Sequence, residues 1–466
     1  MLPYWRHFFE KWIPGVPLPT RQALAGRICD AEADRIIDNM KARLRGRYST
    51  GQSDGWKNIA KTSIIASMVN AEYEPHILHA HDVTHERKTA ENLLVIVEAE
   101  IDFCEEILEM IIAAWCTDGG GDCAKMHKLL LQKRPHLAAP HCWSHQVRLS
   151  VGDYLKVKTP AVAVLNLTLE VIEWFNNHTL ALGLLRKQQL GQYGKILALI
   201  RPAPTCWTAH YHSSGCLLET EEAIRILILS SKSALVACAG KERAQKDKAQ
   251  TLLSQIEHPQ FWSLLRDVHS HLEPLAIATN ATQGDNARLD VVLITLGNLY
   301  LTYSDTTRFD AVTRATMHRS LEMRWKKSGR ERELYILATL FHVGICRRAF
   351  RQNNPLLTPQ GLEAVEFSTH TVSSLIMYIM PAVSSSVQGK PVNMINVWRA
   401  LDSQSSGGRN GLVKFTMLVL SIVPNSAAIE RLFSRLGIVQ NKYCNRLGPE
   451  KARKVVLVKA EIDRDY

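Results

Sequence analysis

The chain has 466 residues, of which 46% are aliphatic, aromatic or cysteine and 22% are charged. Those are ordinary figures for a folded chain long enough to build two or three domains. Fifty-six Lys and Arg against 45 Asp and Glu give a net charge of +11 and a pI near 9.1, which points to a polyanionic partner without naming a sequence it reads. Ten scattered cysteines show no disulfide framework, the start Met1-Leu2-Pro3-Tyr4-Trp5-Arg6-His7 has no apolar leader, and no apolar run approaches spanning length. The expectation is a soluble intracellular protein with no membrane contact.

Residues 1–49 read as an N-terminal helical segment broken at Pro14 to Pro19. From 50 to 156 the pattern turns to strands. Ser63 to Val69 and His76 to Val83 predict a hairpin joined by Glu72 to Pro75. Leu94, Val97, Ile101, Cys104 and Leu108 then step at three and four residues, the spacing of an amphipathic helix. Met110 to Thr117 is a continuous apolar run, as expected of a strand buried on both faces, and it ends in Asp118 and Gly119-Gly120-Gly121. A second helix carries Met126, Leu129 and Leu130, with a short strand near Leu137 to His141. The segment before Asp54 is needed as a first strand, although Arg47 to Ser53 has little apolar content.

Residues 157–395 read as helical, with periodic stretches at Leu165–Trp174, Glu221–Ala237, Phe261–Ala276, Leu289–Leu301 and Leu334–Phe350. Gln352–Pro359 and Ser384–Pro391 read as loops, and 396–466 is helical again. The predicted class is α/β: a mixed-sheet core at 50–156, an all-α insertion at 157–395, and C-terminal helices at 396–466 that complete the core.

Near the C-terminus stands Pro424-Asn425-Ser426-Ala427-Ala428-Ile429-Glu430-Arg431-Leu432-Phe433-Ser434, followed by Asn445-Arg446-Leu447-Gly448-Pro449-Glu450. Asn425 or Ser426 can cap a helix on which Ile429, Leu432, Phe433 and Leu436 share one face. Glu430 flanks that face, where a carboxylate is costly without a cation; a surface Glu paired with an Arg is the plain alternative. Two further acids follow turn-forming or buried runs: Asp54 in Gln52-Ser53-Asp54-Gly55-Trp56, and Asp118 in Cys116-Thr117-Asp118-Gly119. Asp54 taken alone is equally a turn residue.

The C-terminal block resembles the dimerisation motif of hAT-superfamily DNA transposases, and the Asp-Gly-Trp and Cys-Thr-Asp-Gly contexts resemble the blocks around that family's first two catalytic aspartates. The resemblance implies an RNase H-like core in which Asp54, Asp118 and Glu430 form an Asp-Asp-Glu triad. Such a triad holds two Mg²⁺ or Mn²⁺ ions for DNA cleavage and strand transfer. It implies DNA as partner, a nuclear location, and a homodimer or higher oligomer using Leu432, Phe433, Leu436, Val455 and Val456; docking of part of that surface onto the chain's own core is the alternative. Cys142-Trp143-Ser144-His145 resembles the family's Cys-x-x-His element, with Cys142 buried and His145 facing DNA or a site carboxylate. A satisfied core histidine is the alternative, and no second ligand pair stands at zinc spacing. Trp207 resembles the family's base-stacking Trp, or else packs a helix. Cys206 departs from the usual Arg there.

Arg324, Lys326 and Lys327 form a basic segment suited to DNA phosphates, or to a solvated helix face. The BED-type zinc finger usual in the family has no counterpart in this sequence. Two functions follow from these features: an active hAT-like transposase, or a non-catalytic nuclear protein descended from one that acts through DNA binding and dimerisation.

Overall fold

The computed structural model describes residues 3–13, 15, 18–201, 208–342, 393–402, 410–440 and 447–465. The fold class is mixed α/β, and the chain divides into two compact units. The first comprises residues 1–143, 283–293 and 330–466, and the second comprises 144–282 and 294–329.

In the first unit, helix α1 (Cys29–Leu44) leads into strands β1 (Tyr48–Lys57), β2 (Ser63–Ala71) and β3 (Glu74–Asp82). Helix α2 (Ala90–Asp102), β4 (Ile111–Cys116) and α3 (Gly121–Lys133) follow. Among the described residues the sheet has four strands in the order β3-β2-β1-β4. β1 is antiparallel to β2 and parallel to β4, and β2 is antiparallel to β3. The predicted fifth strand reduces to two parallel bridges, Ala114 to Ala138 and Thr117 to His141, which cover the outer side of β4. That second neighbour is why β4 is apolar along its length.

β1 runs through Asp54 instead of stopping before it, and its interior is polar: Ser49, Thr50, Gln52 and Ser53 are all buried. Its centre is Gly51. The Trp115 ring lies directly over this residue, and a Cβ built there would sit 2.0 Å from the ring. The Trp115 indole Nε1–H donates to Ser53 Oγ at 3.0 Å. An inner strand of low hydrophobicity is therefore sealed by a neighbour's indole. The β2–β3 hairpin closes through Glu72 and Tyr73, both at positive φ (51° and 80°), a two-residue turn usually made with Asn and Gly. The Glu72 carboxylate is held by Arg399, while the Tyr73 hydroxyl donates to the Leu420 carbonyl at 2.9 Å.

The second unit is helical. Its elements include α4 (Trp143–Tyr154), α5 (Pro160–Asn177), α6 (Thr179–Tyr193), α7 (Ala209–Glu219), α8 (Glu221–Cys238), α9 (Arg243–Glu257), α10 (Pro259–Gln283), residues 294–302 of α11 (Leu289–Thr302), and α12 (Ala311–Lys327). The helical unit starts earlier than the composition shift at 157 suggests. α4 is tied into it by Tyr154 Oη against His271 Nδ1 (3.0 Å) and Ser320 Oγ donating to Ser150 Oγ (3.1 Å). It also ends earlier than 395. The Glu331 carboxylate accepts from the Ala139 N–H at 2.9 Å, and Trp143 Nε1 donates to the Tyr335 hydroxyl at 2.6 Å, both within the first unit.

The chain re-enters the first unit with α13 (Arg332–Phe341), α14 (Met394–Asp402), α15 (Asn410–Leu420), α16 (Ala427–Val439) and α17 (Pro449–Asp465). One apolar cluster joins α2 and α3 to one face of the sheet through Val69, Leu78, Val97, Ile101, Trp115 and Met126. A second joins α1, α16 and α17 to Ala66, Met68 and Ile77. Two helical layers thus enclose the sheet, each burying the stripe that its sequence period demands.

Candidate active site

The parallel pairing of β1 and β4 ends with Gln52 opposite Cys116. Asp54 and Asp118 each lie two residues beyond that pair, so adjacent parallel strands deliver both acids to the same end of the sheet. Asp54 still pairs with Ala66 on β2. Asp118 opens the turn into α3, where its Oδ1 accepts the Gly120 N–H at 3.1 Å. Behind it, Thr117 Oγ1 meets His127 Nε2 at 2.9 Å, and His127 stacks on His141 with centroids 5.3 Å apart. Burial pushes His127 down to about 3, so it is a neutral wedge beneath the turn.

Glu430 comes from the first turn of α16, and the lead-in to that helix is fastened to β1. Thr50 Oγ1 donates to the Ser421 carbonyl (3.0 Å) and accepts the Val423 N–H (3.1 Å). The Ser426 N–H donates to Cys142 Sγ at 3.3 Å, and the Trp143 N–H donates to the Pro424 carbonyl at 2.8 Å. Cys142 is fully buried, as the sequence suggested. Just ahead of the N-cap Ser426, the Asn425 Oδ1 accepts the N–H of Ala427, the first helical residue, at 3.1 Å. Further along, Phe433 stacks on Trp56 of β1 (5.5 Å, 22°), which lays α16 beside the strand that carries Asp54.

The electrostatics follow from this convergence. Desolvation pushes the Asp54 carboxyl up to about 7. The Gly55 N–H donated to its Oδ1 at 2.7 Å opposes that rise, while negative charge on Asp118 and Glu430 adds to it. Asp54 and Asp118 both line a cleft of about 280 Å³ with Glu86, Arg87, Lys88 and Cys123. Glu430 is half-buried and lies outside that lining. The oxygens of the three acids do not all fall within 4.8 Å of one another. An all-oxygen donor set is of the kind that hard divalent cations such as Mg²⁺ or Mn²⁺ prefer.

Other sequence expectations resolve differently. The side chains assigned to a dimer surface are spent on the chain's own core: Leu432, Phe433, Leu436 and Val456 are all buried against the sheet, and Val455 is half-buried. The stripe they form is amphipathic in the ordinary way, and β2 and β3 already cover it. Arg324, expected at DNA, is turned inward in the helical unit. Its Nε donates to the Gln146 carbonyl (2.9 Å), Nη1 to the Ser320 carbonyl (3.0 Å), and Nη2 pairs with Asp153 at 2.8 Å. Lys326 and Lys327 are exposed at the end of α12, and His145 is half-buried on α4. Trp207, Cys206, Asn445 and Arg446 lie outside the described residues.

Sequence reasoning missed one constellation, His79, His81 and Glu100. The legible signal was His79-Ala80-His81, whose spacing of two places both rings on one face of a strand. No family model matches the chain, and no curated protein matches it.

Proposed function

We propose that this chain is a nuclear, DNA-acting protein of the hAT transposase type, built on an RNase H-like core, with Asp54, Asp118 and Glu430 as its metal-holding acids. The observation that carries the reading is the arrangement of those three acids. They come from β1, the end of β4 and the start of α16, far apart along the chain, yet Asp54 feels the charge of both others. Strand order and direction support an RNase H-like core: an antiparallel β1-β2-β3 meander with β4 parallel to β1, helices on both faces, and bridging at 138 and 141 beyond β4.

Asp54, Asp118 and Glu430 would hold two divalent ions, which supply activation of an attacking water or 3′-hydroxyl and neutralise charge at the phosphate. Residues of the chain do the rest. The Gly55 and Gly120 N–H groups fix the two aspartates. The bonds from Thr50 and Cys142 hold the α16 lead-in, and so Glu430, against the sheet. Arg87 and Lys88 on the cleft wall offer cations to a nucleic-acid backbone, and in the helical unit Lys326 and Lys327 are exposed.

A second reading is a non-catalytic DNA-binding descendant. The looser gathering of the three carboxylates, not all within 4.8 Å, favours it. Cleavage of branched DNA substrates in Mn²⁺ separates the two. The transposase reading expects nicking by the native chain and only background nicking by Asp118→Asn. Equal nicking by both proteins removes the catalytic assignment. DNA binding with no nicking by either protein selects the second reading.

A further inference from the structure

We infer that the first unit carries a zinc site, sharing no ligand with the acidic cluster and lying two strands from Asp54 at the same end of the sheet, made by His79 and His81 of β3 and Glu100 of α2. The local fold builds it. Pairing between β2 and β3 runs Ala66 to Ala80 and then Met68 to Ile77, so Leu78 and His79 together oppose Ser67. That extra residue is a β-bulge, which re-aims the side chains around it. Leu78 joins the cluster under α2, while Ile77 packs in the cluster on the opposite face. His79 sets its ring edge against Phe103 at the end of α2, with centroids 4.7 Å apart. His81, two residues on, shares the face of His79, and the two rings lie 5.9 Å apart.

Both histidines converge on one carboxylate. His79 Nδ1 is 2.9 Å from Glu100 Oε2, and His81 Nε2 is 2.7 Å from Glu100 Oε1. The Glu100 side chain is 1% exposed, against 32% and 34% for the histidines. A carboxylate this deep on an otherwise apolar helix face is costly, and it has been kept where two imidazoles reach it. Among the described residues, this is the one group of three metal-ligating side chains whose donor atoms all lie within 4.8 Å of one another. Two imidazole nitrogens and one carboxylate form a borderline donor set that suits Zn²⁺ far better than Mg²⁺. Metal–ligand distances of about 2.0–2.2 Å need only a slight opening of the present contacts. The partly exposed histidines leave solvent access, so water completes the coordination. The ion would clamp β3, at the edge of the sheet, to α2.

The test loads chelator-stripped full-length protein with Zn²⁺ in competition with a chromophoric chelator, and with Co²⁺ followed by its visible d–d absorption. The expected result is one Zn²⁺ per chain beyond the background of His81→Gln, with affinity at least ~100-fold weaker in that variant. The zinc lost with His81→Gln should be lost equally when that substitution is made in Asp118→Asn protein, since the site shares no ligand with the acidic cluster. Circular dichroism confirms that each variant is folded, and His79→Asn replaces His81→Gln if the latter is not. Identical zinc uptake by the native chain and a folded histidine variant overturns the inference. So does Asp118→Asn protein that takes up no more zinc than the same protein with His81→Gln added, or native protein that develops no Co²⁺ d–d band.

Discussion

Asp54 and Glu100 are both carboxylates set into the same layered unit, and their surroundings drive them in opposite directions. At Asp54, burial and the charges of Asp118 and Glu430 act against ionisation, with the Gly55 N–H on the other side, and the group is pushed up to about 7. At Glu100, burial again raises the pKa, but hydrogen bonds from His79 and His81 outweigh it and hold the carboxyl below its ordinary range. One cluster has gathered like charges, and the other has supplied hydrogen-bond partners for its carboxylate. The difference teaches where an outside cation has something to gain. A cluster of acids alone is poised for hard divalent ions in exchange with solvent. A carboxylate already flanked by imidazoles is arranged for a metal that prefers nitrogen.

The strongest way to break this comparison is to disturb the strand that places the acids. Gly51→Ala drives a methyl group into the Trp115 ring and should destabilise the first unit by more than about 3 kcal/mol, seen as loss of cooperative thermal unfolding or of soluble protein. An unchanged thermal midpoint would mean that Trp115 does not seal β1. A smaller but sharper change comes at the other cluster. Glu100→Ala strands two histidines beside a buried gap and should cost about 2–3 kcal/mol by denaturant titration near neutral pH. A neutral outcome there would show that the histidines, not the carboxylate, organise that corner.

What could be read in advance followed chemical redundancy. β4 was legible because both of its faces are buried, so its composition is uniformly apolar, and α2 because its buried positions keep a strict helical step. β1 was hard to read because its burial is done by a neighbour: Gly51 is a seat for Trp115, and no local hydrophobicity records that. The hairpin was expected, but not its closure through Glu72 and Tyr73 at positive φ, which depends on the remote Arg399 and Leu420.

Arg324 was misjudged by reading it with exposed Lys326 and Lys327. Its helical phase, shared with buried Met317, Ser320 and Leu321, would have turned it inward. At the acidic site the three residues were named from motif alone. Their approach depends on bonds such as Thr50 to Ser421, which join positions with no sequence relation. The bulge that presents His79 was invisible, since strand alternation assumes regular pairing.

The smallest predicted effect is the most direct comparison of the clusters. Because the folded-state pKa of Asp54 lies above its usual 3.8, the native chain keeps a proton between about pH 4 and 7 that the unfolded chain has released. Native protein therefore binds more protons than unfolded protein in that window, and this group's contribution makes stability fall as pH rises through it. Asp54→Asn removes the contribution.

In chelator, the variant should match the native chain near pH 4 and exceed it at pH 8 by on the order of 1 kcal/mol, after allowance for the partial exposure of Asp54. That is about 2–3 °C in the midpoint of unfolding. Mn²⁺ at pH 8 should raise the native midpoint and close the gap, because a bound cation relieves the repulsion that the substitution removes. At Glu100 the slope has the opposite sign: its lowered pKa stabilises the native state above the ordinary carboxylate range, and that stabilisation is lost on acidification. Parallel pH profiles for the native chain and Asp54→Asn, with no response to Mn²⁺, would mean that the three acids are neighbours without being a site.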